Sequence, residues 1–338
     1  MYLFNELVEK PLAQHYPPNV AKRVKQALYY ASRNDAQSMA NSFKKAIQLA
    51  EEAGLHPLSN EIAGLKIECA ALLTKINDGE YKGKAVEILE KVLDEAVAGA
   101  EYFTERERWK DRSVVLQRAV LLGYKVGEMY TEMDKMRQAE EAMVWSTETL
   151  LREIHRRERD KVKEEEQGEW FDRMAVAGCL EKLATHYEAT NQHTLATPLY
   201  LRAATLSPQD NCHTVTLMSN LAACLSQQSP PSDSKITRKH LIEDGQKWAL
   251  KALEIDATIK PPQRSPECDE ACVAATMNLG EMAEMLGEVG KARGRFQEAL
   301  SLAKALGMEE GVKRAEEGLR RLEEVKTVVV TGPVVVEK

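Results

Sequence analysis

A small residue followed at offsets of three, twelve, sixteen and nineteen by further small or bulky apolar residues recurs four times in this chain without a gap. The four sets are Ala27, Tyr30, Met39, Phe43 and Ala46; Gly127, Tyr130, Ala139, Met143 and Ser146; Ala184, Tyr187, Ala196, Tyr200 and Ala203; and Gly280, Ala283, Ala292, Phe296 and Ala299. A fixed period of this kind favours a stacked array over one closed core, because each unit buries its apolar face against its neighbours. Within a unit the spacing fits two antiparallel helices crossing at a small angle. Small residues stand where the backbones approach, and large ones fill the spaces between. Gly280 is therefore expected to face Ala292, and Ala184 to face Ala196, while Tyr187 and Tyr200 close the gap between units. Asn34-Asp35, Asn191-Gln192-His193 and Gly287 to Gly290 supply the turns.

The pattern resembles the tetratricopeptide-repeat (TPR) family, whose core positions these residues match. Two further units are irregular. One starts at Ala70 and Leu73, is interrupted at Asn77-Asp78-Gly79, and resumes with Ala85, Leu89 and Val92. The other starts at Leu221, Ala222 and Leu225, and its second helix waits until Gly245, Ala249, Ala252 and Leu253, beyond an exposed loop over 226–240. The expected fold is all-α: a right-handed superhelical solenoid of about six TPR-like helix pairs. Residues 1–19 form a lead-in, 20–307 the array, 308–326 a charged capping helix and 327–338 an extended or disordered tail. The stretch Leu150 to Gln167 has no apolar stripe past Ile154 and reads as an overlong, solvated second helix whose Arg152, Arg156, Arg157 and Arg159 are offset by glutamates.

The formal net charge of −7 argues against nucleic acid, which needs a basic footprint. No apolar run is long enough to span a membrane, and Met1 to Glu6 lacks the features of a secretory signal. The six cysteines do not form a small-protein disulfide framework, and Cys268 and Cys272 read as small packing residues. There is no Gly-rich phosphate loop, HExxH or GxSxG. His186 reads as a packing residue, and Cys212-His213 lacks a second ligand pair at zinc spacing. No enzyme activity, metal or cofactor is expected.

Binding is expected on the first helix of each unit. With the small residue as position eight, inner-face residues include Tyr124, Lys125, Glu128 and Glu132; Glu181, Lys182, Thr185 and Glu188; Thr216, Ser219, Asn220 and Ala223; and Met277, Asn278, Glu281 and Met285. Position six holds Lys125, Lys182, Asn220 and Asn278. An Asn amide both donates and accepts, so it can pair with a peptide backbone whatever the side chains. This resembles, in two of four positions, the asparagine ladder of some peptide-binding TPR proteins. The alternative is that Asn220 and Asn278 tie neighbouring helices together. The Lys/Asn clamp that other TPR proteins use for a C-terminal carboxylate is missing, since the first two units offer Val24, Leu28, Ile67 and Ala71. That half of the face is expected to be apolar.

Three segments carry a finer resemblance: Tyr29-Tyr30 to Glu61, with its Ala50 to Leu58 run; Glu128 to Glu141; and Cys212-His213-Thr214-Val215 to Asn220-Leu221-Ala222. They are similar to the fungal mitochondrial TPR adaptors of the i-AAA protease, inner-membrane proteins facing the intermembrane space. The resemblance implies capture of unfolded or misfolded polypeptides, delivery to the membrane-bound protease, a companion adaptor, an N-terminal presequence and one transmembrane helix. The alternative is a static scaffold that holds one folded partner on the convex face or on the helix at 150–167.

Overall fold

The computed structural model describes residues 16–76, 79–231 and 235–331, with side chains through Glu324. Among these residues the regular structure is helical throughout, without strands. The chain divides into two compact units, Met1–Phe171 and Asp172–Lys338. The first holds three helix pairs: α1 (Pro18–Ala31) with α2 (Ala36–Glu52), α3 (Asn60–Lys75) with α4 (Gly79–Glu105), and α5 (Trp109–Glu132) with α6 (Met136–Arg159), followed by the short α7 (Glu164–Gln167). The second holds α8 (Arg173–Ala189) with α9 (His193–Leu206), α10 (Cys212–Gln227) with α11 (Arg238–Thr258), and α12 (Pro266–Met285) with α13 (Val289–Leu306), closed by α14 (Glu309–Thr331). Among the described residues there are six pairs and a closing helix, the number expected from the repeat.

The spacing works as close packing requires. A Cβ built on Gly127 would lie 2.6 Å from Met143 and 3.1 Å from the Ala139 carbonyl. On Gly280 it would lie 2.7 Å from the Phe296 ring. Ala27, Met39, Ala184, Ala196, Tyr200, Ala292 and Phe296 are fully buried. The turns repeat as faithfully as the helices. Asn34, Asp134, Asn191 and Gly287 all have positive φ, each seven residues after its unit's small residue. Asn, Asp and Gly tolerate that conformation, and bulkier residues resist it. The next backbone N–H closes each turn, as from Lys135 to the Tyr130 carbonyl (2.9 Å) and from Glu288 to the Ala283 carbonyl (2.9 Å). Side-chain caps start several helices: Asp35 accepts from Ser38 N–H, and Asp172 from Ala175 N–H.

In the irregular fifth pair, Gly245 takes the close-approach role against α10. A Cβ there would lie 2.8 Å from the Ala222 carbonyl and 2.9 Å from the Met282 sulfur. A backbone oxygen cannot rotate away. We expect Gly245→Ala to lower stability by about 1–3 kcal/mol, against the ~1 kcal/mol that alanine normally gains over glycine in a helix. Urea unfolding measures the difference, and a neutral or stabilising result would mean that this approach is looser than described.

Three expectations need correcting. The second helix of the third pair is long, 24 residues against 17, 14 and 18 in the other regular units, but it ends at Arg159 and does not run on to Gln167; the chain folds back so that α7 and Gly168 lie against α5 and α6. Arg156 and Arg157 are not solvated but surround Glu153, which is 3% exposed. At the C-terminus, α14 continues to Thr331, so the valines from Val328 to Val330 are helical and not extended. Each added helical residue gains one hydrogen bond, which outweighs a weak strand preference. The rest of that tail, Asn77-Asp78 of the second repeat's interruption and residues 1–15 of the lead-in lie outside the described residues.

Candidate partner-binding face

The predicted site residues fall into both compact units and behave differently in each. In the first unit, α5 is packed nearly all round. Tyr124 is only 1% exposed, and its hydroxyl shares a 2.8 Å hydrogen bond with Thr147 on α6. It is a core residue and not a groove residue, which corrects its assignment. Lys125 and Glu128 are half-buried and paired with each other at 3.3 Å. Val24 and Ile67, expected to make this half of the face apolar, are buried, which leaves Leu28 and part of Ala71 at the surface. At position six of the second repeat stands Glu68, a buried carboxylate whose pKa burial raises.

The second unit presents a more coherent surface. On α8 the residues reaching solvent share one face: Met174, Glu181, Lys182, Thr185 and Glu188. On α10 most residues are buried, and a narrow stripe of His213, Thr216, Asn220, Ala223 and Gln227 stays partly open, with Leu225 half-buried beside it. On α12 the open stripe carries Ala274, Asn278, Glu281 and Met285. Asn220 is half-buried, and among the described residues its amide has no hydrogen-bond partner. Asn278 is different. Its Nδ2 donates to both the carbonyl and the hydroxyl of Ser219, each at 3.1 Å, so it ties α12 to α10 and leaves only its carbonyl oxygen to accept. Of the two readings of the asparagines, the peptide-facing one fits Asn220 and the helix-tying one fits Asn278. Thr185 shares a hydrogen bond with Tyr200, which also donates to Glu188. Glu281 pairs with Arg314, and Glu284 pairs in a bidentate manner with Arg321. These pairs hold α14 along the sixth repeat.

Sequence reasoning missed what aligns these helices. Cys212 and Cys268, 56 residues apart, form a disulfide with a Cα–Cα distance of 4.6 Å. This corrects the reading of Cys268 as a small packing residue. Beside it, His213 sits between two carboxylates, with Nε2 2.8 Å from Glu181 on α8 and Nδ1 2.7 Å from Glu267 on α12. The hydrogen bond to Glu181 is the main cause that pushes its pKa up to about 9, against burial and with help from Glu267. The only visible signal was that Cys212-His213 and Glu267-Cys268 are complementary dipeptides.

The clamp has a pH consequence. His213 has a folded pKa of about 9 and an ordinary value of 6.5, so its stabilisation is complete below about pH 6.5 and is lost as pH rises through 9. Over about 2.5 pH units at about 1.4 kcal/mol each, the full loss would be about 3.5 kcal/mol, and solvent screening at the partly exposed ring reduces it to roughly 2–3 kcal/mol. His213→Gln should flatten the thermal stability profile between those limits, and an unchanged slope would contradict the clamp.

Among the described residues no cluster of His, Cys, Asp and Glu suits a metal ion, and no helix is long and apolar enough to cross a membrane. Comparison with known proteins adds the following. No family model matches the chain. A TPR repeat-containing protein of Schizosaccharomyces pombe is 26% identical over 298 residues, spanning 87% of this chain and 75% of that protein. Among solved structures, the nearly identical TPR-like repeats of a kinesin light chain from Podosopora anserina cover 75% of this chain and 100% of their own, at 14% identity and a TM-score of 0.43. BtubC (BKLC) from P. vanneervenii covers 74% of this chain and 95% of its own, at 15% identity and a TM-score of 0.40. The relative from S. pombe supports the tetratricopeptide-repeat reading of the repeat.

Proposed function

We propose that this chain is a non-catalytic adaptor whose α8–α10–α12 face takes extended segments of unfolded or misfolded polypeptide. The observation that carries this reading is the Asn220 amide, half-buried and, among the described residues, without a hydrogen-bond partner on the partly open stripe of a largely packed helix. A partly desolvated amide gains from an incoming backbone N–H or C=O, and it selects no side chain. Lys182 and Thr185 on α8 and the free carbonyl of Asn278 on α12 flank it. Glu181, Glu188 and Glu267 lie on the same surface and disfavour acidic clients. Ordering a flexible chain costs entropy, so affinity is modest.

The resemblance to the mitochondrial adaptors supports a finer proposal: delivery of these clients to the membrane-bound i-AAA protease, with a companion adaptor, at the intermembrane-space side of the inner membrane. The Cys212–Cys268 disulfide fits an oxidising compartment.

Asn220→Ala is the direct test, because Asn278→Ala would also loosen α10 from α12. We expect binding of a carboxymethylated, permanently unfolded client to fall about three- to tenfold, the loss of one or two hydrogen bonds, with thermal stability unchanged. Undiminished binding would refute the role of this face. A second reading has its own observation: Leu195 and Leu201 on α9 and Leu250 on α11 are 40–46% exposed on the second helices. A static scaffold would use that outer surface for a folded partner, and Leu201→Glu would then abolish its capture.

A further inference from the structure

α10 and α12 are tied at three levels along their length. At the start stands the Cys212–Cys268 bond. Next to it His213 reaches Glu267. Two turns further on, Asn278 donates to Ser219. His213 also reaches back to Glu181 on α8, so the first helices of three successive repeats are indexed at one point. The bond is shielded: Cys212 is 2% exposed and Cys268 0%, and the Ser265 N–H points at the Cys212 sulfur from the connection that precedes α12. Arg264, in that same connection, is pinned to Asp256 and Asp269. A bond so covered cannot exchange readily once the sixth repeat has docked. It must close while the repeats assemble.

We propose that oxidative closure of Cys212–Cys268 is a maturation step that makes the α8–α10–α12 face competent to bind, and that a disulfide donor acting during folding supplies the oxidation. This rests on the partner-binding role proposed for that face. The chemistry balances as a thiol–disulfide exchange. One cysteine loses its proton, and its thiolate attacks a sulfur of the donor disulfide, expelling the donor's other sulfur as a thiolate. The second cysteine, also deprotonated, attacks the mixed disulfide, closes the bond and releases the donor's second sulfur. The donor takes two electrons and leaves as two thiols. A low-molecular-weight disulfide or the active-site disulfide of an oxidoreductase fits this role. The fold selects the pair by geometry: packing of α10 against α12 brings the Cα atoms of Cys212 and Cys268 to 4.6 Å, whereas Cys69, Cys179, Cys224 and Cys272 remain free thiols.

The test compares the full chain refolded with oxidised glutathione, the same chain refolded with a dithiol reductant, and the Cys212→Ser/Cys268→Ser variant. Alkylation after denaturation counts thiols, proteolysis reports on the connection between α10 and α12, and the unfolded client reports on binding. We expect four of the six cysteines to label in the oxidised chain and all six in the reduced one. We also expect faster cleavage within 228–265 and about tenfold weaker client binding for the reduced chain and for the variant. Cys272→Ser should match the oxidised wild type. Six labelled cysteines after refolding with glutathione would overturn the inference, as would a reduced chain that binds as tightly as the oxidised one. If the oxidised chain, with its bond closed and its connection protected, also fails to bind, the partner-binding reading falls, and the claimed link between oxidation and binding falls with it.

Discussion

Replacing Glu153 by Gln should destabilise the first compact unit by about 3–5 kcal/mol, the usual consequence of removing one partner from a buried ion pair. Glu153 is 3% exposed and meets Arg112 at 3.1 Å, Arg156 at 2.6 Å and Arg157 at 2.9 Å. Those arginines are themselves largely buried, and they do more than neutralise the carboxylate. Arg156 also donates to Gln167, and Arg157 donates to Ser113 and to the Gly168 carbonyl. Ser113 in turn donates to the Gln167 carbonyl. One carboxylate therefore organises the fold-back of residues 164–168 onto α5 and α6. Burial alone would raise the pKa of Glu153, but the hydrogen bonds from Arg156 and Arg157 and the attraction of Arg112 outweigh it and hold the carboxyl near 2. Because the folded value lies below the ordinary 4.5, this stabilisation is present above about pH 4.5 and is lost as pH falls towards 2. Urea unfolding between pH 3 and pH 6 should show that acid slope in the wild type and not in Glu153→Gln. Hydrogen exchange should also find residues 163–168 unprotected in the variant. A variant of wild-type stability would mean that the arginines find other partners at no cost.

Phe296→Ala should cost the second unit about 3–5 kcal/mol, the range for truncating a buried aromatic side chain. The ring is fully buried and fills space that two glycines leave open. A Cβ on Gly280 of α12 would lie 2.7 Å from it, and one on Gly318 of α14 would lie 2.9 Å from it. Phe296 of α13 thus joins the sixth pair to the closing helix, in one cluster with Val273, Met277, Ala315 and Leu322. Removing it should free α14, and with it the Arg314–Glu281 and Arg321–Glu284 pairs that lie along α12. Calorimetry should show a lowered transition for this unit, and proteolysis should cut first within 309–331. Refilling the cavity with Phe296→Leu should recover part of the loss. If Phe296→Ala leaves α14 resistant to protease, the helix is held by its ion pairs and not by the ring.

The repeat was legible because it is written twice in each regular unit. Gly127 with Ala139, and Gly280 with Phe296, set the helix crossing. Asn34, Asp134, Asn191 and Gly287 set the turn. Both signals are local, and local spacing is what a sequence displays. The site was less legible. Tyr124 lies at the boundary between the inner face and the core of a helix packed on several sides, and there an aromatic ring with a hydroxyl partner goes inward. The disulfide joins the starts of two first helices separated by an entire second helix and an irregular loop, a pairing that no periodicity encodes. Arg156 and Arg157 looked like a solvated face because the segment that covers them, α7, is four residues long and has no apolar pattern of its own.

A photoreactive side chain placed at Lys182, on the open face of α8, against one placed at Leu201 or Leu250 on the second helices, would show where an unfolded client lies. The account predicts cross-links from position 182, weakened by Asn220→Ala, and few from positions 201 and 250. Cross-links mainly from the second helices, unaffected by Asn220→Ala, would contradict it.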